Sequence, residues 1–250
     1  MKIETMALRL RLPFIRKNYQ QVIEQAENDK WGYEEFLETL LEQECELRGV
    51  NRVQKRISQA HFPYKMALQE FQMAHLSVDL QHQIRKLGTL EFVENKENIL
   101  LIGNPGTGKT ALAVSLGMEE CLKGKSILFV NVPNLLLEIK EIMGKDEITR
   151  YRKRFENYDL VIVDESGYCT FDKSAGEVLF NLLSNRNEKG SIIITSNLTL
   201  DRWKEVFNDV VLTTAMVDRL AYKAYMLDMT GDSYRIRQTR QWQKSMESKE

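Results

Sequence analysis

Cysteine, histidine and any excess of one charge are scarce in this chain of 250 residues. The three cysteines, Cys45, Cys121 and Cys169, are odd in number and widely spread. That fits neither a disulfide framework nor a metal site, and points to a reducing compartment. His61, His75 and His82 do not stand at zinc-binding spacing with any cysteine, so zinc ligation is not expected. Basic and acidic residues nearly balance, 35 against 36, for a formal net charge of −1. Such a balance carries no global nucleic-acid signature, and any DNA contact must come from a local patch. No apolar stretch is long enough to span a bilayer and the N-terminus lacks a signal-peptide core, so a cytoplasmic protein with no membrane partner is expected. In that setting Asn197-Leu198-Thr199, a glycosylation acceptor by letter, carries no such meaning.

Glycine is nearly missing from residues 1 to about 75, which are helical in pattern. Pro13 opens a segment in which Ile15, Tyr19, Val22 and Ala26 recur at helical spacing. From Trp31 onward Phe36, Leu37, Leu40 and Leu41 form an apolar stripe. That second helix can run to the neighbourhood of His61, where Pro63 interrupts it. After about residue 90 short apolar runs alternate with helices. Asn98–Gly103, Ser126–Asn131, Asp159–Asp164 and Ser191–Ser196 read as strands, hydrophobic on both faces as central parallel strands should be. Helical stretches fall near 109–123, 133–143, 174–187 and 201–206. The pattern predicts an α/β fold over 76–250, a parallel sheet flanked by helices, beside a small all-helical domain over 1–75. After Asn197 there is little room for a full helical lid, and the basic tail after Tyr234 is expected to be disordered.

Gly103-Asn104-Pro105-Gly106-Thr107-Gly108-Lys109-Thr110 fits G-x-x-x-x-G-K-[ST] in full. Its glycines let backbone N–H groups turn towards phosphates, and the following helix adds the positive end of its dipole. Context supports the motif, since Ile99-Leu100-Leu101-Ile102 leads in as a strand and Ala111-Leu112-Ala113-Val114 continues as helix. Residues 103–111 are therefore expected to bind ATP, with Lys109 at the β- and γ-phosphates and Thr110 on Mg²⁺.

Leu160-Val161-Ile162-Val163-Asp164-Glu165 is an apolar strand capped by two carboxylates. Alone it reads equally as a solvated strand end. A strand beside the phosphate loop, however, delivers its terminal side chains to the nucleotide, so Asp164 is expected to hold Mg²⁺ and Glu165 to act on the attacking water. Ile192-Ile193-Ile194-Thr195-Ser196-Asn197 is another buried strand with a polar end; a hydrophilic side chain there either contacts the γ-phosphate or simply begins a loop.

This set of motifs resembles the AAA+ superfamily, in the clade that holds the DnaC and DnaI helicase loaders and the IstB transposition helpers. GNPGTGKT resembles Walker A, LVIVDE resembles Walker B, and Asn197 falls where sensor 1 lies. Met216-Val217-Asp218-Arg219-Leu220 resembles the stretch with the arginine finger, which implies that Arg219 acts on a neighbouring subunit's ATP. Gly231-Asp232-Ser233-Tyr234-Arg235 resembles the segment carrying the sensor 2 arginine, Arg235. Within the clade the chain is most similar to IstB. Arg11-Leu12-Pro13-Phe14-Ile15-Arg16-Lys17, the helix Tyr33–Arg48 and Ala60-His61-Phe62-Pro63-Tyr64-Lys65 carry that likeness. So do Asp164-Glu165-Ser166-Gly167-Tyr168 and Thr195-Ser196-Asn197-Leu198. The resemblance implies an ATPase that helps insertion-sequence transposition: it self-assembles with ATP on duplex DNA and recruits the cognate transposase.

From the residues alone Arg219 can equally be a surface arginine paired with Asp218 or Glu205. Three basic clusters are candidates for DNA phosphates: Arg150, Arg152, Lys153 and Arg154; Arg9, Arg11, Arg16 and Lys17; and Arg48, Arg52, Lys55 and Arg56. Acidic neighbours such as Asp146, Glu147 and Glu156 make each of them readable as a solvated face as well. No motif for a defined base sequence is present, so binding with little sequence preference is expected. Two rivals remain: a replicative helicase loader, and a nucleotide-gated DNA scaffold with negligible turnover.

Overall fold

The computed structural model describes residues 2–143, 147–165, 173–207 and 209–247. Asp146, Ser166, Gly167, Tyr168 and Cys169, named above, lie outside them. The chain divides into two compact units, 1–55 and 56–250. That boundary falls inside a helix, about twenty residues earlier than composition suggests, because residues 56–75 belong by their contacts to the second unit.

The first unit holds α1 (Lys2–Arg9), α2 (Pro13–Asp29) and most of α3 (Tyr33–Gln59). Ala7, Val22 and Leu40 are buried in it. Pro13 suits the first turn of α2, where its missing N–H loses nothing. The next two amides, of Phe14 and Ile15, donate to one carboxylate oxygen of Glu44 at 2.9 and 3.2 Å. Glu44 is only 2% exposed, so α3 caps α2 with a buried negative charge at the positive end of the helix dipole.

The second unit continues with α4 (Val78–Leu87), α5 (Glu91–Glu94), β1 (Asn98–Ile102), α6 (Lys109–Leu122) and β2 (Ile127–Asn131). Then follow α7 (Val132–Met143), α8 (Ile148–Glu156), β3 (Leu160–Asp164), α9 (Lys173–Ser184) and β4 (Ser191–Ser196). The remainder is α10 (Lys204–Phe207), α11 (Val210–Ala221), β5 (Ala224–Asp228) and α12 (Tyr234–Glu247). Among the described residues five strands form one parallel sheet, in the order β2-β3-β4-β1-β5. Every residue of β3 and β4 is buried, as expected of central strands covered on both faces. Val161, Val163, Ile192 and Ile194 pack with Leu135, Ile139, Leu179, Trp203 and Met216 on one face. The apolar side of α6, with Leu112, Ala113 and Leu116, is likewise fully buried.

A buried cation holds the base of the sheet. Arg186 is 0% exposed and donates to the carbonyls of Phe155, Tyr158 and Ser191 at 2.6, 2.8 and 3.2 Å. It thereby ties the end of α8 and the approach to β3 to the start of β4. Two features differ from the sequence reading. An edge strand, β5, follows the four expected ones; its mixed exposure hides it from a search for apolar runs. The tail after Tyr234 forms a helix instead of lying disordered, because its first residues are fastened to the phosphate loop: the Tyr234 amide donates to the Gly106 carbonyl at 2.9 Å.

Candidate nucleotide site

The loop between β1 and α6 is built for close backbone approach. Gly106 and Gly108 adopt φ of 80° and 97°, a region that side chains disfavour and that lets successive N–H groups converge on an anion. The chain after β5 closes over this loop. Met229 donates its amide to Ile102 at 2.6 Å, and the Asn104 side chain donates to the Gly231 carbonyl at 3.3 Å. A Cβ on Gly106 would collide with the Ser233 hydroxyl. Thr107 is buried, its hydroxyl donating to the Asn104 carbonyl at 2.9 Å, whereas Pro105 is exposed. Ala111 lies in the first turn of α6, where its carbonyl accepts from Ser115 at 2.8 Å.

Lys109 is buried and folds back on the loop, donating to the carbonyls of Gly103 and Asn104, each at 2.7 Å. Burial draws its pKa down; Asp164 opposes that and Arg235 reinforces it. A lysine held by neutral carbonyls and not by a carboxylate can turn to a phosphate without breaking an ion pair.

Asp164 ends β3 and is 4% exposed. One of its oxygens accepts from the Thr110 hydroxyl at 2.8 Å and from the Thr195 hydroxyl at 2.6 Å. Burial raises its pKa, while the bonds from Thr195 and Thr110 work the other way. Strand β4 lies between β1 and β3, so β3 is not the direct neighbour of the phosphate-loop strand, and Thr195 of β4 bridges the gap. The Thr195 hydroxyl also accepts the Glu165 amide at 3.0 Å. Glu165 stands at φ 63°, which swings its carboxylate off the strand direction. That carboxylate accepts from the Asn131 side-chain amide at 2.6 Å, across from Asp164 in the β2–β3 register.

The fold brings some expected residues together and leaves others apart. Thr110, Asp164, Glu165 and Arg235 line one cavity of about 810 Å³, joined by Asn131 and Tyr64. Asn197 lines a different cavity of about 480 Å³ with Gly103 and Asn104, and its buried side-chain carbonyl oxygen has no hydrogen-bond partner among the described residues. Arg219 is exposed on the last turn of α11, its guanidinium 4.8 Å above the Phe180 ring. It lines a hollow with Glu188 and Asp218, away from the cluster of Asp164. Glu205, a possible mate for Arg219, is instead bonded to Arg202 at 3.0 Å.

Two residues of the cluster escaped the sequence reading. Thr195 had a signal, being the polar residue that follows three consecutive isoleucines in its strand. Asn131 had none, because its part depends on strand register. Among the basic candidates, Arg48 bonds to Glu44 and to the Arg11 carbonyl, and Arg154 donates to the Tyr158 hydroxyl at 3.3 Å. Among the described residues no helix is long and apolar enough to cross a membrane.

A phosphate loop between β1 and α6, an acid-capped β3, and β4 inserted between the two strands define a P-loop ATPase of the AAA+ type. More particularly, residues 5–242 match the family model of the IstB-like ATP binding protein, and the chain belongs to that family. It is 35% identical over 233 residues, 93% of its length and 92% of the relative's, to a protein of insertion sequence IS5376 from Geobacillus stearothermophilus, described as ATP-binding. It is 33% identical over 239 residues, 96% of its length and 90% of the relative's, to the corresponding protein of insertion sequence IS21 from Pseudomonas aeruginosa. The crystal structure of the DnaC helicase loader shares the fold, with a TM-score of 0.53 at 22% identity over 70% of this chain and 98% of that one.

Proposed function

We propose that this ATPase is a helper of insertion-sequence transposition, which assembles with ATP on duplex DNA of little sequence preference and recruits a cognate transposase. Membership of the IstB-like family and relatives that belong to insertion sequences support the transposition setting. The likeness to DnaC is one of fold, and carries no argument for helicase loading.

The donors around the loop fit Mg-ATP. The hydroxyl of Thr110 and the carboxylate of Asp164 are hard oxygen ligands 2.8 Å apart, a set suited to Mg²⁺. A magnesium ion held by Thr110 and Asp164 would supply positive charge to the phosphates. The glycine-rich loop holds the phosphates through its amides, and Lys109 leaves its two carbonyls to meet them. Glu165 accepts a proton from the attacking water, with Asn131 and Thr195 fixing the position of its carboxylate and its amide. Arg235, in the same cavity, reads the terminal phosphate within the chain, and Asn197 acts from the neighbouring one.

The observation that carries the assembly reading is the isolation of Arg219. It stands outside the cavity that Asp164 and Glu165 line, exposed, with its guanidinium against an aromatic face. An arginine placed so can serve a neighbour's phosphate, and hydrolysis then requires assembly. The basic clusters at α8, at the N-terminus and at the end of α3 offer phosphate contacts without base readers.

Light scattering after size exclusion tests this with duplex and single-stranded DNA, with and without ATP. Large complexes on duplex that need ATP and are lost in Lys109→Ala are expected. Assembly on single strands alone, or none without a helicase, overturns the reading in favour of a loader.

A further inference from the structure

We propose that Tyr64 is a further catalytic residue, whose phenolic O–H donates to the terminal phosphoryl group of ATP as it is transferred. The assignment rests on the hydrolysis reading above and extends it to a residue outside every nucleotide motif of the sequence.

Tyr64 belongs to an irregular strap, residues 60–71, that leads from the end of α3 to the phosphate loop. The Ala60 carbonyl accepts the Phe129 amide at 2.8 Å, so the strap lies along the open edge of β2. Phe62 meets the Phe129 ring edge-on at 6.3 Å, and its ring leaves no room for a Cβ on Gly117 of α6. Further on, the Met66 amide meets the Met118 sulfur at 3.0 Å, and the Phe71 ring abuts Gly108 of the phosphate loop.

Phe62, Met66 and Phe71 thus anchor the strap, and Tyr64 does not. It is 45% exposed, and it looks into the cavity where Thr110, Asp164, Glu165 and Arg235 converge. A packing role does not need a tyrosine at such a position, since a residue facing an open cavity buries little. The chemistry around it does suit a donor. Burial, followed by the charge of Asp164, raises the pKa of the phenol, and Arg235 offsets this only in part. The hydroxyl therefore stays protonated at neutral pH, a neutral donor in a cavity it shares with the Asp164 carboxylate and the Arg235 guanidinium. Charge on the transferring phosphoryl is stabilised by donors fixed in advance, and a neutral O–H adds one without further like-charge repulsion against Lys109 and Arg235.

The test is steady-state ATP turnover by the full-length protein with duplex DNA, comparing wild type, Tyr64→Phe and Tyr64→Ala, with Lys109→Ala as background. Affinities for a fluorescent ATP analogue and for ADP are measured in parallel. Tyr64→Phe keeps the ring and removes only the hydroxyl. Its kcat is expected to fall about tenfold or more, the scale of one hydrogen bond to a charged group, with nucleotide affinity held within about twofold. A Tyr64→Phe kcat within about twofold of wild type overturns the proposal, and a loss confined to Tyr64→Ala means that the ring serves packing alone. A fall in affinity that matches the fall in kcat/KM, with kcat unchanged, also overturns it, because the hydroxyl then serves ground-state binding. Wild type that turns ATP over no faster than Lys109→Ala overturns the hydrolysis reading itself.

Discussion

Glu120 is a buried acid without a task in the chemistry, and its protonation should set much of the pH dependence of stability. It sits near the C-terminal end of α6, 1% exposed, with one carboxylate oxygen that has no hydrogen-bond partner among the described residues. Burial pushes its pKa up to about 7 from an ordinary 4.5; Lys123 and Lys125 pull it back, and Glu94 and Asp159 add to the rise. The folded state therefore holds this proton more tightly than the unfolded chain does. The resulting stabilisation is complete below about pH 4.5, shrinks as the pH climbs, and is gone above about pH 7. That gap corresponds to about 3 kcal/mol at 25 °C. Glu120→Gln removes the titration while keeping the shape. Relative to wild type the variant should gain about 2–3 kcal/mol between pH 5 and pH 8, or roughly 4–12 °C in Tm for a unit of this size. Calorimetry or urea unfolding at the two pH values measures it. The ATP site should not notice, since Glu120 lies about 16 Å along α6 from Lys109. Stability curves for wild type and Glu120→Gln that stay parallel from pH 5 to pH 8 refute the argument.

Three further outcomes are expected. Arg186→Met leaves three carbonyls, two of them fully buried, without their donor and should destabilise the ATPase unit by about 3–5 kcal/mol, read as the urea midpoint; a loss under about 1 kcal/mol shows that the carbonyls find other partners. Glu44→Ala strips the cap from α2 and should cost about 1–2 kcal/mol, seen as faster amide exchange at Phe14 and Ile15, and unchanged exchange there refutes the capping. Glu165→Gln should trap ATP-bound assemblies on duplex DNA; if it assembles no better than Lys109→Ala, Glu165 is not the base.

Much of the nucleotide site was legible in one dimension because its key parts are local. A phosphate loop needs its glycines, lysine and threonine within eight residues, and a strand with apolar residues on both faces announces a central parallel position wherever it occurs. Asp164 and Glu165 could be placed for the same reason, as the end of one such strand. The reading weakened where burial is one-sided or where partners are far apart in the chain. Strand β5 lies at an edge, so its mixed exposure resembles a loop, and α12 leaves Ile236 and Trp242 exposed, held by its first turn and not by a buried apolar stripe.

The residues by themselves named the candidates for holding phosphate, a divalent cation and a proton, and determined that a parallel sheet carries them. Only the tertiary structure decided who meets whom. It inserted β4 between β1 and β3, so that Thr195 joins Thr110 on Asp164. It set Asn131 opposite Asp164 within reach of Glu165, sent Asn197 and Arg219 to other cavities, and laid Tyr64 over the acid cluster. Strand order, register and the course of a strap arise from long-range packing, and no short window of sequence contains them.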